Sequence, residues 1–263
     1  MPVLIRPSGV ETVGYSNNNP GGYGELMRLT EGLLLEVPNG LTTEYAALTE
    51  PMAVGYHAVQ MARMAKDDVP LVIGCGPVGL AVIAALRMKD IRPVVAADFS
   101  LRRRQLAEAM GADIVIDPKE KSPYQSWKEA ALADPQTAPQ QAPWAVGPAL
   151  RPAVMFECVG VPGVIDQIMM SAPQGARIVV VGVCMEQDTI QPMFGINKEL
   201  NLQFVLGYSR EEFSQTLYNI ADGKVPVEPL ITGKVGVEGV AQAFEDLGSP
   251  EQHAKILVEP WRS

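Results

Sequence analysis

The stretch VPLVIGCGPVGLAVIAALRMKDIRPVVAAD, residues 69–98, decides how this chain is read. Val69–Ile73 is an apolar run rich in β-branched residues, as in a strand buried on both faces. Gly74, Cys75, Gly76, Pro77, Val78 and Gly79 then form a G-x-G-x-x-G turn, and Val78–Met88 continues as an apolar helix. Pro93–Ala97 is a second apolar strand, and it ends on an acid, Asp98. Strand, glycine turn, helix and second strand with a terminal acid form the unit that receives a dinucleotide. Gly74 permits the tight turn, Gly76 omits a Cβ where a pyrophosphate would approach, and Gly79 lets helix and strand pack closely. The helix start offers free N–H groups and a positive dipole end to the phosphates.

Asp98 suits both ribose hydroxyls and repels a 2′-phosphate, which points to NAD rather than NADP. Arg102, Arg103 and Arg104 follow it. Arginines there can bind a 2′-phosphate, face solvent or stack on adenine. Asp98 takes precedence because its carboxylate fills the position such a phosphate would need, and Arg103 is counted among the cofactor-binding candidates. Val69–Leu86 carries no charge and nears the length of a membrane span, but Pro70, Gly74, Gly76, Pro77 and Gly79 would break a membrane helix there.

The same alternation runs on downstream. Ser100 caps a helix over Leu101–Met110 that Gly111 closes, and Ile114–Ile116 is a third strand. Ala153–Cys158, Arg177–Val183 and Leu200–Leu206 read as strands four to six, with a helix at Val164–Met170. The expected fold class is therefore α/β, a doubly wound parallel sheet covered on both faces. Ligands of such sheets bind beyond the carboxyl ends of the strands, so Cys158 and Val159, with Gly182 and Val183, are candidates to line the nicotinamide half. The side chains of Cys158 and Cys184 are expected to be buried.

Pro118 to Pro152 holds seven prolines in 35 residues and reads as a surface excursion with a short helix at Ser126–Ala133. Upstream, residues 1–40 are rich in glycine and proline and suggest short strands and loops, and Thr42–Met64 is helical with an interruption at Pro51. The tail carries helices at Glu211–Asp222 and Val237–Leu247 and a closing strand at Ala254–Val258.

With 263 residues, 47% of them hydrophobic, the chain has ample material for a packed core. A net charge of −9 argues against nucleic acid or an anionic membrane as partner. Three scattered cysteines, and no export signal in MPVLIRPSGV, suggest reduced thiols and a cytoplasmic protein.

Several segments together resemble the medium-chain dehydrogenase/reductase superfamily in its zinc-type alcohol, sorbitol and threonine dehydrogenase branch. They are PGGYGELMRL (20–29), ALTEPMAVGYHAV (47–59), VIGCGPVGLAVI (72–83), FECVG (156–160), RIVVVGV (177–183) and PLITGKVGVEGVAQAF (229–244). The resemblance implies a remnant of a GroES-like catalytic domain over residues 1–50, a Rossmann NAD-binding domain over 51–209, and a C-terminal segment over 210–263. The family's cysteine and histidine zinc ligands, its GHE signature, its four-cysteine structural lobe and its proton-relaying serine or threonine have no counterpart here, so the chain resembles an N-terminally truncated member.

Glu50 matches the position of a third zinc ligand in sorbitol-dehydrogenase-like members. His57 and His253 do not make a usable spacing with it and read as packing or surface residues. Zinc is expected in full-length relatives and not in this chain. The implied activity is NAD-dependent hydride transfer between the carbon of a small alcohol or carbonyl substrate and nicotinamide, impaired by the truncation. A zinc-free quinone or enoyl reductase and a non-catalytic dinucleotide-binding module are the alternatives. The uncharged strand 200–206 lies at the sheet edge in this topology, and both this and the resemblance imply a homodimer through it.

Overall fold

Local capping rules explain where the first helices begin and end. The computed structural model describes residues 13–14, 17–22, 27–38, 40–134 and 147–262. Thr42 accepts the Tyr45 N–H at 3.4 Å and caps a single turn, α1 (Thr43–Ala46). A turn at Ala47 and Leu48 separates it from α2 (Thr49–Met61). The helix expected over Thr42–Met64 therefore breaks at this turn and not at Pro51. Pro51 lies in the first turn of α2, where its missing N–H would have had no intrahelical partner.

The doubly wound unit follows as β1 (Val69–Ile73), α3 (Pro77–Met88), β2 (Val95–Ala97), α4 (Leu101–Met110), β3 (Ile114–Ile116) and α5 (Pro123–Ala130). It continues with β4 (Ala153–Glu157), α6 (Val164–Ser171), β5 (Arg177–Val180), α7 (Pro192–Lys198) and β6 (Asn201–Phe204). The six strands are all parallel, in the order β3-β2-β1-β4-β5-β6. This is a Rossmann fold, as expected. Leu71 of β1 stands beside Val95 of β2 and Met155 of β4, so the order reverses around β1 and a crevice opens beyond its carboxyl end.

The continuous apolar strands are explained by a core on each face. Val72, Ala96, Phe156 and Val179 point into one core with α2, α3 and α4, while Leu71, Val95, Met155 and Ile178 point into the other with α5 and α6. Trp127 of α5 is fully buried in the second core and its indole N–H donates to the Val69 carbonyl at 2.9 Å.

Several boundaries differ from expectation. The helix expected at Ser126–Ala133 is α5, which starts earlier because Ser122 caps it and Pro123 fills its first position. The second strand begins at Val95 rather than Pro93, and the sixth is shorter than 200–206. The fifth ends at Val180 instead of Val183, since the next two N–H groups turn to the Glu157 carbonyl. Helix α7 was not expected at all. Among the described residues before Thr42 there is one short 3-10 turn, Glu31–Leu33, and no named strand; much of the expected 1–40 strand region lies outside the described residues.

The tail begins with α8 (Arg210–Ala221), fixed at its start by a capping box between Ser209 and Glu212 and packed on α2. After it come β7 (Ile231–Val235), α9 (Val240–Leu247) and β8 (Lys255–Val258), with β7 and β8 paired in parallel. The helix expected over Val237–Leu247 divides into a 3-10 turn, Val237–Gly239, and α9. Among the described residues no helix is long and apolar enough to cross a membrane.

Candidate functional site

Glycine geometry makes the turn after β1. Gly74 has φ +90°, a conformation that L side chains rarely adopt. A Cβ on Gly79 would stand 1.9 Å from the Gly74 oxygen, so only glycine lets α3 start this close to the turn. At Gly76, the N-cap of α3, the nearest atoms to a Cβ would be those of the Arg103 guanidinium at 3.9 Å. Pro77 follows at the first helical position, no side chain caps this helix start, and Gly76, Pro77 and Val78 border a hollow.

Asp98 lies just past β2 and is 9% exposed. One carboxylate oxygen accepts the Cys75 N–H and the other the Ser100 N–H, both at 2.8 Å. Each oxygen keeps a further lone pair, and the Arg103 guanidinium stands 3.9 Å away. The three arginines have separate fates. Arg104 pairs with Asp117 at 2.9 Å and donates to the carbonyls of Asp98 and Phe99, so it holds the loop. Arg103 lies between Asp98 and the glycine turn, and the backbone N–H of Arg102 is directed to Glu251.

Above these groups lies a cavity of about 790 Å³, lined among others by Asp98, Arg103, Lys119, Tyr124, Gln167 and Glu251. A second hollow of about 210 Å³ shares Gly74, Asp98, Arg103 and Val159 with it and adds Gly76, Pro77, Val78 and Cys158. The glycine turn and its acidic partner thus meet in one space, of a size that takes a nucleotide.

Beyond β4, Glu157 is 1% exposed and organises the neighbouring loops. Its carboxylate accepts the N–H groups of Val159 at 2.7 Å and Gly160 at 2.8 Å, while its carbonyl accepts those of Val181 and Gly182. A Cβ on Gly182 would stand 2.4 Å from the Gly160 nitrogen, so the two loops pack backbone against backbone. This brings Cys158, Val159, Gly182 and Val183 together at one end of the crevice, with Val159 and Val183 exposed. Cys158 is buried, as expected, and burial pushes its thiol well above the ordinary range; burial, reinforced by Asp98, does the same at Cys75. Cys184 is not buried as expected: it is only half-buried, because the chain has already left the sheet at Gly182, and its thiol faces the Glu186 carbonyl.

Glu50 is exposed in the first turn of α2. His57 is 2.8 Å from Glu212 on α8, and His253 is 3.3 Å from the Thr232 hydroxyl, so each is taken up in packing between elements. Among the described residues no three histidine, cysteine, aspartate or glutamate side chains are grouped to hold a metal ion, and these residues do not fit a zinc site. Glu157 and Glu251 escaped the sequence reading. An acid inside the apolar run AVMFEC is a signal for the first; nothing local marks the second.

Residues 77–222 match the sequence model of the zinc-binding dehydrogenase family. The chain belongs to the zinc-binding dehydrogenase family. It is 31% identical over 241 residues to the (R,R)-butanediol dehydrogenase of Bacillus subtilis, covering 91% of this chain and 64% of that protein. Against the sorbitol dehydrogenase of Ovis aries the identity is 28%, covering 80% of this chain and 55% of that protein. The crystal structure of 2R,3R-butanediol dehydrogenase from Bacillus subtilis superposes with a TM-score of 0.77 at 29% identity, covering 95% of this chain and 67% of that one. The chain therefore spans less than two thirds of the length of these two curated relatives.

Proposed function

We propose that this chain is the NAD-binding portion of an oxidoreductase of the alcohol and polyol dehydrogenase class, acting on a small alcohol or carbonyl substrate in the cytoplasm. The observation that carries this reading is the meeting of the Gly74–Gly79 turn and Asp98 in one cavity at the switch point of the sheet. In that reading Gly74, Gly76, Pro77, Val78 and Gly79 hold the pyrophosphate at the start of α3. Asp98 accepts the two ribose hydroxyls, Arg103 covers the phosphates, and Cys158, Val159, Gly182 and Val183 border the nicotinamide. NAD, when bound, supplies the acceptor for a hydride leaving an alcohol carbon. The division into 1–50, 51–209 and 210–263 belongs to the same reading. Glu50 remains a candidate zinc ligand only, without partner ligands among the described residues.

The homodimer through residues 200–206 is also part of the proposal. It is supported by the edge position of β6 and by Phe204, which is 62% exposed on it. A monomer in light scattering at micromolar concentration overturns that assembly.

The cofactor is tested by titrating NADH and NADPH against the full chain by fluorescence. NADH binds more tightly, and Asp98→Ser narrows or inverts the preference by removing the charge that repels the 2′-phosphate. Tighter binding of NADPH by the unmodified chain overturns the assignment.

A further inference from the structure

A carboxylate from far along the chain reaches the rim of the nucleotide cavity. The turn between α9 and β8 carries Pro250 and Glu251, and both line the cavity that contains Asp98. The Ser100 hydroxyl donates to the Pro250 carbonyl at 3.1 Å, and the Arg102 N–H donates to a Glu251 carboxylate oxygen at 3.3 Å. These contacts fasten the turn to the start of α4, 149 positions earlier in the chain.

The start of α4 is where an anion on the adenosine ribose would be held. Its first turn lacks intrahelical partners for its N–H groups, so that of Arg103 goes to the Ser100 hydroxyl and that of Arg102 to Glu251, and it carries a run of three arginines. Read locally, DFSLRRR offers one acid against a place well made for a phosphate. The fold resolves this conflict twice. Asp98 closes the ribose side, and Glu251 takes the helix end itself. The Ser100 hydroxyl beside it, then the Arg102 N–H, hold the Glu251 carboxyl below its ordinary value, so it is ionised at neutral pH.

We propose that Glu251 is a second specificity-determining residue of the dinucleotide site, a built-in anion at the α4 start that works with Asp98 to exclude a 2′-phosphate. The proposal rests on the NAD reading above. Neutralising Glu251 removes the negative charge held at the α4 start, and the beneficiary is the cofactor that carries the extra phosphate. A general packing role would instead move NADH and NADPH alike.

The test is the ratio of NADPH to NADH dissociation constants for the full chain, measured by fluorescence titration. Glu251→Gln lowers the ratio about fivefold, the size expected of one partly screened charge contact, and Glu251→Lys lowers it further. The gain shrinks as salt is raised. Glu228→Gln, which removes an exposed charge that does not line the cavity, leaves the ratio where it was. An NADH-preferring chain whose ratio is unmoved in both Glu251 variants overturns this inference and leaves the NAD reading standing. A chain that prefers NADPH, or binds neither cofactor, overturns both.

Discussion

The two ends of the parallel sheet treat buried charge differently. At the amino ends, Asp68 is 1% exposed, accepts the Ala65 N–H at 2.5 Å and pairs with the Arg177 guanidinium. Arg177 in turn donates to the carbonyls of Ala62 at 2.7 Å and Arg63 at 2.9 Å. Side chain answers side chain, and these contacts close a seam between β5 and the end of α2. At the carboxyl ends, Asp98 and Glu157 are also buried, yet the hydrogen bonds they accept come from backbone N–H groups of the loops. Over Asp98 a cavity opens. A buried acid closed by a guanidinium in direct contact holds the fold together; one hydrogen-bonded to loop backbone, with its guanidinium standing off at 3.9 Å as at Asp98 and acceptor capacity facing a cavity, shapes a place for a ligand.

Glycine substitutions break the comparison most strongly. A Cβ on Gly79 would stand 1.9 Å from the Gly74 oxygen, and one on Gly55 would stand 2.3 Å from the Ala81 carbonyl carbon where α2 crosses α3. Both clashes are with backbone, so Gly79→Ala and Gly55→Ala should each lose about 3 kcal/mol or more by overpacking. Urea unfolding reads that loss. NADH titration separates the two, because Gly79→Ala displaces the start of α3 and abolishes binding, whereas folded Gly55→Ala still binds. Normal NADH affinity in Gly79→Ala would remove the glycine turn from the site.

What the sequence made legible follows from how local each cause is. Residues 69–98 were readable because every signal there agrees: β-branched strands, glycines where a Cβ would clash, Pro77 at a helix start, and an acid at a strand end. The boundary of β5 was missed because Arg177–Val183 is apolar throughout, and only the Glu157 carbonyl draws the chain off the ladder after Val180. The expected burial of Cys184 failed for the same reason. Helix α7 escaped notice because its seven residues are too few to show a period. Glu251 was beyond reach, since its partner lies 149 positions away and only the folded chain brings them together.

Asp68→Asn sharpens the comparison from the structural end and is the smaller effect. The substitution keeps the size of the side chain and removes the charge that answers Arg177. Because Asp68 is 1% exposed, the loss is not erased by solvent, but Arg177 is 29% exposed and keeps the Ala62 and Arg63 carbonyls. The full cost of breaking a buried pair is therefore discounted, to about 2 kcal/mol. Thermal or urea unfolding should register this drop, while the NADH and NADPH dissociation constants of the folded variant stay as they were. Asp98→Ser should give the mirror image, with cofactor preference altered more than stability. If Asp68→Asn shifted cofactor preference as much as Asp98→Ser does, the two ends of the sheet would be one coupled system. The separation between a closed structural seam and an open binding end would then be wrong.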